Sequence, residues 1–96
     1  MQRITEKQLE SLAEWINTLT NSPQEPWTRD ENGLRSNVGN YHIHHAYGGV
    51  CLHRMSNESG GVSTPLIHGH VPKRELFNAM HAFIRGLEQT KQEATK

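Results

Sequence analysis

Residues 41–55, YHIHHAYGGVCLHRM, constrain the fold more than any other stretch of the chain. Apolar and polar side chains alternate on both sides of a Tyr-Gly-Gly, the pattern of two β-strands joined by a tight turn. A turn of two residues (Tyr47-Gly48 or Gly48-Gly49) or of four keeps the same side chains together on each face, because the side-chain period of a strand is two. One face then carries Tyr41, Ile43, His45, Val50, Leu52 and Arg54, and the other carries His42, His44, Ala46, Cys51, His53 and Met55. The branched aliphatics of the first face need an apolar cover. The second face collects imidazoles and the chain's one cysteine.

Two amphipathic segments can supply the cover. Thr5 followed by Gln8 spells a capping box, with Ile4 placed to staple onto Leu9, and Leu9, Leu12, Ile16 and Leu19 then recur at helical spacing with Ala13 and Trp15 widening the stripe. Asn21-Ser22-Pro23 ends that helix. At the other end Pro72 suits the first turn of a second helix, whose apolar face is Leu76, Phe77, Met80, Phe83, Ile84 and Leu87; Gly86 either caps it or lies inside it. Between Pro26 and the hairpin, the Asn32-Gly33 pair predicts a short first hairpin, and Asn57 to Gly61 a looser turn into Val62–Ile67, a strand that Pro65 keeps short or at an edge. The fold expected is α+β: an N-terminal helix, an antiparallel sheet of three to five short strands and a C-terminal helix, both helices on one sheet face. Residues 1–88 form a single domain, and the polar stretch QTKQEATK at 89–96 has nothing to bury and is expected to fray.

Only 33% of the 96 residues are hydrophobic, so the chain supports one modest core, and self-association into a homo-oligomer would add to it. Ten Lys and Arg balance ten Asp and Glu, which removes the electrostatic drive toward nucleic acid or a membrane surface, although seven histidines would make the surface basic below pH 6. A single cysteine allows no internal disulfide, MQRITEKQ has no apolar signal core, and no run is long enough to span a bilayer. These features predict a cytoplasmic protein.

His42, His44, Cys51 and His53 are chemically sufficient ligands for zinc or copper, since cross-strand neighbours stand about 5 Å apart. No second pair follows at zinc-finger spacing, and His68-Gly69-His70 adds ligands only where the fold brings it close. The expectation is therefore a face for water or a partner, with no metal and no cofactor. Catalysis is not expected either: Cys51 lies mid-strand, away from any helix N-terminus that would activate it, and Glu58 and Glu75 are lone carboxylates. The residue types that anchor protein interfaces gather around the hairpin, so Trp27, Tyr41, His42, His44, Tyr47, Gly48, Gly49, His53, Arg54 and Asn57 are the expected contacts of a protein partner. Lys73 and Arg74 at the second helix start, with His70 and Arg54 nearby, are the candidate anion site, and together with the histidine-rich sheet face they carry the alternative, nucleic-acid or nucleotide binding. A zinc-binding hairpin is the other alternative.

The wording WTRDENG, NVGNYH, AYGGVCLHRMSNESGGVS and GHVPKREL, followed by an amphipathic helix, resembles small accessory proteins carried by tailed phages and prophages, over most of residues 5 to 88. That resemblance implies an accessory protein made in a bacterial cytoplasm that modulates a host or defence component; the partner expected from the interface-type residues is then a bacterial or phage protein. It carries no activity with it. The element order is also similar to that of the double-stranded-RNA-binding domain, but only Lys73 and Arg74 stand where that domain grips phosphates, and its lysine-rich motif is missing.

Overall fold

The computed structural model describes residues 3–94. Helix α1 spans Glu6–Leu19, strands β1 Trp27–Asp30 and β2 Gly33–Ser36 form a first hairpin, and β3 Tyr41–Ala46, β4 Gly49–Met55 and β5 Val62–Ser63 follow before helix α2, Lys73–Ala94. The α+β order expected from the sequence holds. The strands divide into two sheets, however, a two-stranded β1-β2 ribbon and a three-stranded β3-β4-β5 sheet, all antiparallel.

Local chemistry sets the ends of α1. Thr5 Oγ1 accepts from the Gln8 amide at 3.2 Å while Gln8 Oε1 accepts from the Thr5 amide at 2.8 Å, so two amides free at the helix start are satisfied reciprocally. Asn21, at φ 56, takes the left-handed conformation that stops the helix, and the Ser22 amide donates back to the Asn17 carbonyl at 2.8 Å.

Both helices lie on one face of the larger sheet. Leu9, Ala13 and Ile16 from α1 and Leu76, Met80 and Ile84 from α2 close over Tyr41, Val50 and Leu52, with Ile43, Phe83 and Leu87 packed around them. Tyr41 sets its ring against Phe83 at 6.0 Å. Trp15 does not widen the buried stripe: it is 46% exposed, because the stripe centres on Leu9, Ala13, Ile16 and Asn17 and Trp15 is turned about 100° from Ile16 in the direction opposite to Asn17. Gly86 lies inside α2, and that helix continues through residues 89–94, a stretch the sequence assigns to a frayed tail. Residues 95 and 96 of that stretch lie outside the described residues.

The β3–β4 register pairs His42 with His53, Ile43 with Leu52 and His44 with Cys51, so the two-faced hairpin is as the alternation predicts. The connection is the two-residue Tyr47-Gly48 turn, with both residues at positive φ, 54 and 73, as primed hairpin turns require. Gly49 has a different role. A Cβ there would lie 2.9 Å from the Val71 carbonyl oxygen and 3.1 Å from the His70 carbonyl carbon. Glycine is needed at 49 for a close approach of backbones.

That approach defines the far edge of the sheet. β5 pairs Ser63 with Arg54 and Val62 with Met55; farther along, Val71 pairs with Val50 through two backbone hydrogen bonds of 2.8 and 2.9 Å. Residues 64–70 therefore lie opposite only residues 51–53 and must bulge away from the edge of β4.

Candidate functional site

The face of the hairpin turned away from the helices is closed at some positions and open at others. Cys51 and Met55 are each 1% exposed, which corrects the expectation that this whole face is left to water or a partner. The bulge supplies part of the cover: Cys51 Sγ lies 3.6 Å from the Ile67 carbonyl oxygen. Burial pushes the Cys51 thiol up from its ordinary value, which favours the protonated, unreactive form.

Above Cys51 the imidazoles gather. Val71 pairs with Val50 and packs against the helix-side core, so strand alternation turns His70, one residue earlier, to the side that Cys51 and His44 occupy. His44 Nδ1 and His70 Nε2 meet at 2.9 Å. The His44 ring also stacks on His53, with centroids 4.5 Å apart and planes 12° from parallel. One nitrogen from each of His44, His53 and His70 lies within 4.8 Å of the others. Tyr47 sets its ring edge-on to His70 at 5.6 Å, which extends the aromatic surface to the hairpin tip.

His42 stands at the margin. Its Nδ1 is 3.1 Å from Asn40 Oδ1, an oxygen that only accepts, so this contact places the ring proton on Nδ1. Burial, and then the charge His44 would carry, hold His42 below the usual histidine range. His53 is lowered in the same way, by burial first and then by His44, His42 and His70. Gathering imidazoles on one face thus opposes the mild-acid charging expected of a histidine-rich surface.

The ligand set suggested by the sequence changes accordingly. His44 and His53 belong to the cluster, Cys51 is buried beneath it with its thiol directed at a carbonyl, and His42 is hydrogen-bonded to Asn40. His70, assigned from sequence to the anion group, belongs with the histidines. The other members of that group have partners of their own: Lys73 Nζ lies 4.0 Å from Glu6 Oε1, and Arg54 sits 5.9 Å over the Tyr41 ring. Arg74, beside Lys73, is itself engaged in an interaction.

Among the expected partner contacts, Tyr47 is 96% exposed and Gly48 is also exposed. Tyr41 is a core residue, and Gly49 is covered by the 70–71 backbone. Asn57 is exposed but organises its own turn, its Oδ1 accepting from the amides of Ser59 and Gly61 at 3.0 and 2.9 Å. Trp27, 44% exposed, lays its ring edge over Gly60, where any Cβ would collide with it.

Asn17 and Asn40 carry no motif, yet they position the site. Asn17, buried on α1, donates from Nδ2 to the Tyr41 carbonyl at 3.0 Å and accepts from the Tyr41 amide at 2.8 Å. Asn40 donates to the Pro23 carbonyl at 2.7 Å while orienting His42. Asn17 occupies a helix position beside Ile16, where an amide facing the core is an irregularity visible in the sequence, but the edge it completes is not.

No helix among the described residues is long and apolar enough to cross a membrane. In comparison with known proteins, no family model matches the chain, and no curated protein or solved structure matches it either.

Proposed function

We propose that this protein is a small, non-enzymatic binding protein of the phage-accessory kind, acting in the bacterial cytoplasm on a bacterial or phage protein through the Tyr47 turn and the histidines beside it. The observation that carries the reading is Tyr47, 96% exposed and held at φ 54. A residue other than Gly, Asn or Asp in that region costs about 1–2 kcal/mol, because it lacks both glycine's freedom and the local hydrogen bonding of a short polar side chain, so Asn or Gly would serve the turn better. A phenol presented to solvent at such a cost is what an interface anchor requires, since tyrosine is among the side chains on which binding energy concentrates. The flanking His44, exposed, and His53 and His70, half-buried, offer a rim of hydrogen-bonding imidazoles.

Tyr47→Asn tests this, because it removes the phenol while improving the turn. The wild-type chain, used to capture partners from a bacterial host extract, should retain a protein whose affinity for Tyr47→Asn, measured with purified components, falls tenfold or more, with the variant's melting temperature equal or higher. Equal affinity for the variant would refute the surface. Affinity that collapses between low and moderate salt would point to the competing nucleic-acid reading, because a phosphate-driven complex releases counterions and an apolar protein interface does not.

A further inference from the structure

We propose that His44, His53 and His70 form a binding site for a divalent late first-row transition ion of the zinc class, one ion per chain, with a coordination position left open to solvent.

The donor set is the first argument. Three imidazoles bring one nitrogen each to within 4.8 Å of the other two. Tetrahedral zinc with bonds of about 2.0–2.1 Å needs nitrogens about 3.3 Å apart, so the His44–His70 pair, at 2.9 Å, has only to open slightly while the third ring closes in. Rotation of exposed or half-buried rings supplies that movement. The set is entirely imidazole and contains no carboxylate, so it suits zinc, copper(II), nickel or cobalt and is poorly matched to calcium or magnesium, which demand oxygen.

Anchoring is the second argument. His44 and His53 stand on the paired strands β3 and β4, which fixes their backbone, and their rings, stacked 12° from parallel, must tilt toward one another for both nitrogens to face one ion. His70 adjoins Val71, whose two backbone hydrogen bonds to Val50 fix it to the start of β4, and Gly49 leaves the space that this pairing needs. All three ligands thus come from backbone tied to one hairpin, and binding would need little ordering of the chain. In the register Cys51 pairs with His44 while Val71 pairs with Val50, so His44 and His70 come from the two backbones that flank β4 at Cys51.

Three protein ligands leave a fourth position, and exposed His44 places it toward solvent. The partner surface proposed above does not depend on this ion, and the two fail separately: Tyr47→Asn tests the first and leaves the three ligands in place.

The test uses the full chain without a polyhistidine tag, with Zn(II) titrated calorimetrically and Co(II) as a visible-spectrum probe of imidazole coordination. One equivalent should bind, with a rise in melting temperature that chelator reverses. His44→Ala, His53→Ala and His70→Ala should each weaken Zn(II) by roughly tenfold or more, and His68→Ala, whose ring is held by Thr64 outside the cluster, should bind as wild type. Melting temperatures in chelator show that each variant is folded, and the Co(II) spectrum of the wild type provides a readout independent of any variant. No stoichiometric binding, one ion per two chains, or an equal loss in His68→Ala would overturn the site.

Discussion

Asn17 holds α1 to the sheet by a means that composition conceals. Its amide makes both hydrogen bonds that a neighbouring strand would make to Tyr41, and all three groups are buried. Asn17→Ala would leave the Tyr41 N–H and C=O unpartnered, a loss of about 2–4 kcal/mol measurable by urea denaturation, and a loss below about 1 kcal/mol would show that the clamp is dispensable. Cys51 gives a second prediction at this scale. With a buried thiol whose pKa is raised by that burial, it should resist alkylation in the native chain near neutral pH and react readily in denaturant. Rapid native labelling would mean that the 64–70 bulge does not cover it. Of the residues that build the candidate site, the chemistry of His44 and His53 was legible locally, because a strand's alternation places both on one face; Asn17 was not, because its partner is 24 positions away.

At the scale of elements, the β1-β2 ribbon and the β3-β4 hairpin contrast. An isolated two-stranded ribbon is marginal in water, and this one exposes every residue except Ser36. Its attachments are at the base: the Ser36 amide and hydroxyl donate to the Glu58 and Asn57 carbonyls, and the Trp27 ring rests on Gly60. Trp27, Arg29 and Leu34 share one of its faces. The β3-β4 hairpin is instead roofed by two helices and flanked by Val71. Hydrogen exchange should therefore find ribbon amides protected far less than those of β3 and β4, with the two classes opening independently; equal protection would mean that the ribbon is covered, as by a second copy or a partner. Both hairpins were readable from their turns and their period of two. Their division into separate sheets was not, since pairing between β2 and β3 depends on how the Asn37–Asn40 segment turns: Gly39, at φ 97, donates to the Met55 carbonyl there and ties the segment to β4.

For the whole molecule, the clustered histidines link folding to pH. His42 and His53 have folded-state values below the ordinary 6.5, so as pH falls through 6.5 the unfolded chain takes up protons that the folded chain resists. Their contribution is constant above that value and is lost progressively below it, toward the lowered folded-state values. The melting temperature, measured in chelator, should decline from pH 7 to pH 5, and His53→Gln should flatten the decline. An unchanged slope would show that the cluster is not the source. What the sequence determined by itself are the features that need only near neighbours: the capping box of α1, the apolar stripes, a tight turn of even length around Tyr47-Gly48-Gly49 and the two-faced hairpin, all set by residues within a few positions of one another. Only the tertiary structure decided that His70 joins His44, that Cys51 and Met55 are buried, and that Gly49 serves a close approach. His70, Cys51 and Gly49 depend on the Val50–Val71 pairing, a contact across 21 residues that no local pattern encodes, and Met55 is instead flanked by Val62 of β5.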